Sequence, residues 1–159
     1  MNIKNITEPL LLTSLLLLPI SFIYFNKKHY LIAISIFLNG IASYIYHLKH
    51  NNDYSNKKSD KKSDKKSDKK SNKKTDVLLD KTPYLFDMIT SHVSFILSVY
   101  LAQKLSKPQK YILLILTAMA FLFYGLNLYY NSYSYHLTWH IFVLLGQLFL
   151  ALKIKGNKK

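Results

Sequence analysis

Along the chain, apolar positions gather into five long blocks and polar positions into the gaps between them. The blocks cover residues 9–25, 30–48, 84–103, 111–130 and 135–154. At about 1.5 Å of rise per residue, each approaches or reaches the roughly 30 Å of a hydrocarbon core. A backbone in lipid must satisfy its own hydrogen bonds, so the blocks are predicted as helices. The fold class expected is therefore an all-α integral membrane protein, a bundle of about five transmembrane helices forming one domain over residues 1–159. The first block is the shortest, and Pro19 predicts a kink or tilt within it. In length it resembles a signal peptide, but "ISFIYF" offers no small-x-small cleavage site, so a retained helix is expected. Polar or basic punctuation ("NKKH", "KHNND", "KLSKPQK", "LKIKGNKK") marks the block ends, as at membrane interfaces.

The longest gap, residues 49–82, interrupts the domain and changes how the charge is read. Residues 57–76 are five copies of a Lys-Lys-Ser/Thr-Asp/Asn unit. Such a tract has nothing to bury and is expected to be disordered. It reads either as a basic tether for anionic lipid headgroups or as a repeat-expanded loop with no specific task. The net charge of +14 suggests nucleic acid, yet all 22 basic residues are Lys and 12 of them lie between Lys49 and Lys81. With no Arg to fork a guanine edge or a phosphate, no nucleic-acid partner is expected. Cys is absent, so any metal site must use His, Asp or Glu. If the tract is a late insertion, the nine Lys on the face opposite the N-terminus make that face cytoplasmic by the positive-inside rule.

The few ionisable residues inside the blocks are unevenly placed. With five crossings, the face that holds the N-terminus receives the ends of blocks two and four and the starts of blocks three and five. His47 ends the second block, Asp87 starts the third, and His136 and His140 start the fifth. Three helices thus bring three histidines and one carboxylate to one depth on one face. Residues four apart share a helix face, which pairs His136 with His140 and Ser43 with His47. His29 and His50 flank helix ends and are expected to be solvated. His92, further along the third block, is expected to be buried in a structural role or to lie behind the site. The Tyr-rich "LYYNSY" reads as an interfacial aromatic belt.

Ionisable groups inside a membrane are costly and mark functional sites by default. An isolated H-x-x-x-H reads as readily as interhelical hydrogen bonding; convergence of all four groups on one face favours a metal. Three imidazoles from His47, His136 and His140 plus a water make a four-coordinate Zn2+ site of the catalytic type. Asp87 is then the base for the activated water, and Ser43 can donate to a developing oxyanion. Asp80 is a rival carboxylate. Pro83 is expected as the first helical residue of the third helix, which leaves Asp80 outside the apolar block. The alternatives are a haem b electron carrier using His47 with His136 or His140, and a catalytically silent membrane receptor of the same fold.

These residues carry a family resemblance. Ser43-x-x-x-His47, an Asp near the start of the third helix and "HLTWH" on the last helix resemble the signature of the CREST superfamily. Its members include alkaline ceramidases, the adiponectin and progestin receptor family, and GPI-anchor lipid remodelling proteins. "HLTWHIF" is especially similar to the ceramidase pattern, and "LLD", ending at Asp80, also resembles a ceramidase run. The resemblance implies zinc on the three histidines, Asp87 holding the activated water, Ser43 assisting, and hydrolysis of a lipid amide or ester bond. The family has seven core helices, whereas this chain has room for five. Losing two helices between the third and the last preserves the parity of the site. The substrate cavity must then be smaller, more open or completed by a homo-oligomer. Of the acidic N-terminal calcium site that some alkaline ceramidases carry, only Glu8 is available here.

Overall fold

A computed structural model describes residues 4–60, 73–130 and 132–156, with side chains described for 9–49, 82–130 and 132–156. Six helices follow in order: α1 (Lys4–Leu15), α2 (Leu17–Asn26), α3 (Tyr30–Asp60), α4 (Lys73–Ala102), α5 (Lys107–Tyr130) and α6 (Tyr133–Lys153). Among the described residues there is no strand. Five stretches are long and apolar enough to cross a membrane: Pro9–Asn26, Tyr30–Lys49, Thr82–Ala102, Lys107–Tyr130 and Tyr133–Lys153. They match the five apolar blocks to within a few residues at each end.

The first block is one crossing in two pieces. Pro19 has no N–H for the carbonyl of Leu15, and the helix is interrupted at Leu16, on the N-terminal side of the proline. Leu16 still donates to Leu12 at 3.0 Å and keeps helical dihedrals, so the break bends the crossing without reversing it. Directly beside the break, α3 carries Gly40. A Cβ there would meet the Ser14 carbonyl oxygen at 3.1 Å and Leu17 Cβ at 3.2 Å, so the glycine permits the close approach.

Two sequence expectations about the long gap are corrected. Helix α3 continues through Asp60 and α4 begins at Lys73, so the ends of the 49–82 segment are helical. Pro83 lies inside α4 rather than opening it, at the cost of one hydrogen bond to Leu79. The central part of the repeat tract, residues 61–72, lies outside the described residues, as do the side chains of His50 and Asp80.

Helices α1/α2, α3, α4 and α6 form a four-membered ring in which each packs on its neighbours, so α3 and α6 stand diagonally opposite. Helix α5 packs chiefly on the outside of α6. The apolar core sits at one end of the ring: Leu17, Ile20 and Tyr24 of α2, Ile32 and Ile36 of α3, Leu101 of α4 and Leu150 of α6. That end is closed by the α2–α3 turn, where Lys28 adopts a left-handed φ of 63°. Beside it, the Lys27 ammonium donates to the carbonyls of Ala151, Leu152 and Ile154, each at 2.8 Å, and caps the C-terminus of α6. His29 donates from Nε2 to the Lys155 carbonyl at 2.8 Å and is buried. The solvated position expected for His29 is therefore corrected: the turn folds it back under α6.

From this end a polar seam runs through the ring. On α3, Ser35, Asn39, Ser43 and His47 recur every fourth residue, and all four are buried. They cover about 18 Å of helix. Ser35 bonds Ser94 at 2.7 Å, and Asn39 accepts from Ser91 at 2.8 Å and Thr90 at 3.3 Å. Deeper toward the capped end, Gln147 of α6 donates to Ser98 at 2.9 Å, and its backbone carbonyl accepts from Tyr24 at 3.2 Å. Hydrogen bonds between helices hold apolar segments together where lipid removes the hydrophobic drive for association.

Candidate metal centre

At the other end of the seam, the diagonal between α3 and α6 is bridged by side chains. His47 comes from α3, His136 and His140 from the first two turns of α6. One ring nitrogen from each of the three lies within 4.8 Å of the other two. His47 is buried, and the two α6 histidines are half-buried. The Nε2 atoms of His136 and His140 are 3.2 Å apart. Tetrahedral zinc with Zn–N of about 2.0–2.1 Å places ligand nitrogens about 3.3 Å from one another. The α6 pair has close to that spacing, and a ring nitrogen of His47 lies within 4.8 Å of both.

Aromatic rings enclose the trio. Tyr46 packs on His47 with centroids 5.1 Å apart, and Trp139 lies 4.7 Å from His140 and 5.3 Å from His136. Tyr124 of α5 backs Trp139 at 5.0 Å. This shell limits solvent access to the three rings.

Asp87 stands on α4, across the seam from α3 and within electrostatic reach of Tyr46, the neighbour of His47. Its carboxylate is not part of the three-nitrogen cluster. Its Oδ1 is buried with no hydrogen-bond partner among the described residues. A buried carboxylate oxygen without a partner is costly unless a cation or a donor compensates it. The donor set therefore fits a cation: three imidazoles, and a carboxylate oxygen left with a vacant acceptor on the adjoining helix.

Ser43 is buried one turn from His47, and its hydroxyl is already engaged. Ser14 of α1 donates to it at 3.0 Å, and the same Ser14 hydroxyl lies 3.0 Å from the Leu10 carbonyl. Ser14 has one proton for two acceptors. Ser43 keeps its own proton for a third group only when Ser14 donates to Ser43; when Ser14 turns to Leu10, Ser43 must donate to Ser14. Sequence reasoning missed Ser14, which lies 29 residues away and looks like a routine small polar residue of a membrane helix.

Three further placements refine the expectations. His92 is exposed on α4 and bonds its own helix at Met88, so neither a buried nor a site-backing position holds. Tyr133, expected in an interfacial belt, instead has a buried hydroxyl set against the Leu10 backbone of α1. Asn127 of α5 was not singled out by any motif, yet its amide lies 3.3 Å from His136 Nδ1. No family model, curated protein or solved structure matches the chain.

Proposed function

We propose that the chain is a multi-pass integral membrane protein in which His47, His136 and His140 hold a zinc ion, and that it hydrolyses a lipid amide or ester bond, ceramide being the first substrate to test. The observation that carries this reading is the convergence of three imidazole nitrogens within 4.8 Å, from diagonally opposed helices, in an otherwise apolar chain. Zinc, when bound, supplies Lewis-acid polarisation and brings the pKa of a water down to about 7. Asp87, whose Oδ1 is buried without a hydrogen-bond partner among the described residues, would be the group to accept a proton there. Ser43 donates to the oxygen of the attacked carbonyl in the state where Ser14 donates to Ser43. The ring of helices keeps bulk water away from the seam and holds the histidines at fixed depth.

The haem alternative is less well supported by the same geometry. Two axial imidazoles must bracket the full breadth of a porphyrin. Here any axial pair has the third imidazole nitrogen within 4.8 Å, inside the footprint that the macrocycle would need.

The test is release of fatty acid from labelled ceramide by the purified chain in lipid nanodiscs. Activity should vanish with a strong chelator and return on adding zinc. Turnover untouched by the chelator, or a Soret band in the purified protein, would sink the proposal.

A further inference from the structure

We infer that Asn127 is a positioning residue that sets the tautomer of His136 and with it the metal affinity of the trio, an inference that rests on the zinc reading above. The juxtaposition rests on two distances along one line of contacts. Asn127 Nδ2 lies 3.3 Å from His136 Nδ1, and His136 Nε2 lies 3.2 Å from His140 Nε2. In this arrangement the amide of Asn127 donates to Nδ1, which places the proton of a neutral His136 on Nε2 and lets Nε2 donate to His140. That tautomer cannot ligate through Nε2.

Holding a metal through Nε2 requires the other tautomer, with the proton on Nδ1 and an acceptor facing it. Asn127 offers one without moving its backbone. A half-turn of its side-chain amide exchanges Nδ2 for Oδ1, and the two orientations occupy the same volume. The residue thus matches both states: amide nitrogen toward His136 when the two Nε2 atoms share a proton, amide oxygen toward it when they share a cation. It also gives α5 a link to the centre, which that helix otherwise reaches through Tyr124 and Trp139.

Two substitutions separate this role from simple packing. A carboxylate at position 127 can only accept, so Asn127→Asp should enforce the ligating tautomer and hold zinc as tightly as the wild type or more tightly. Asn127→Leu keeps the volume but offers no acceptor, and should weaken zinc binding about 10–100-fold. Affinity is read on the full chain in detergent by competition with a chromophoric zinc chelator. The protonated nitrogen of His136 is read by 15N NMR of labelled histidines with zinc bound, where Nδ1 should carry the proton. Equal loss of affinity in both variants, or no change in either, would overturn the role of Asn127 while leaving the zinc reading intact. A wild-type chain that never competes for zinc would overturn both.

Discussion

The two ends of the helical ring are built to opposite rules. At the capped end, the polar groups named above are paired: Lys27 with three carbonyls, His29 with the Lys155 carbonyl, and Gln147 with Ser98. The apolar core lies there too. At the histidine end, Asp87 Oδ1 is buried with no hydrogen-bond partner among the described residues, and three imidazoles crowd together. A buried polar group without a hydrogen-bond partner costs stability, so each one calls for a reason. One end is tied by paired groups; the other gathers three ring nitrogens and a carboxylate oxygen left without a partner among the described residues. The seam of Ser35, Asn39, Ser43 and His47 joins them, passing from groups that bond helix to helix to a group that faces the centre.

That contrast is sharpened most by Asp87→Asn. The amide fills the same volume but cannot take a proton, so ceramide hydrolysis should fall roughly 10²–10⁴-fold while zinc content holds. Asp80→Asn should change the rate little; a reversal of the two results would move the role of the base to Asp80. Next in size is Gly40→Leu, directed at the close contact between α3 and the α1–α2 break. Forcing a side chain against the Ser14 carbonyl and Leu17 should cost about 1–3 kcal/mol, read by thermal unfolding in detergent. A neutral result would show that the two crossings are not in the contact described.

Smaller effects test the seam and the loose end against each other. Gln147→Leu removes the side-chain link to Ser98, leaves the backbone carbonyl that accepts from Tyr24, and should destabilise the bundle by about 0.6–2 kcal/mol. Tyr133→Phe deletes a hydroxyl that meets the Leu10 backbone, so unfolding should shift less than for Gln147→Leu. A drop as large as that of Gln147→Leu would mean that the two ends do not differ as described. Smallest of all should be deletion of residues 57–76, which contain no candidate ligand: metal content and turnover should remain within a few-fold.

The sequence made the crossings and the histidine trio legible for one reason each. Long apolar blocks in lipid have only helix open to them, and helix parity plus the i, i+4 spacing of His136 and His140 fixes which groups meet. What escaped depends on contacts between distant helices. His29 looked solvated because it flanks a helix end, yet the turn at Lys28 folds it under α6. His92 lies one helical turn and a little more beyond Asp87, and that extra rotation carries it to the outer surface. Ser14 and Asn127 have no local motif at all; each matters only because another helix presents Ser43 or His136 to it. Pro83 is a common first residue of a helix, and here α4 simply starts before it.

The central claim is that His47, His136 and His140 together hold zinc. Metal analysis of the purified chain, wild type beside His47→Ala, His136→Ala and His140→Ala, tests it most directly. The wild type should carry about one zinc per chain, each histidine variant should lose most of it, and Asp87→Asn should keep it. A wild type without zinc after purification and reloading, or histidine variants that retain as much as the wild type, would contradict the account.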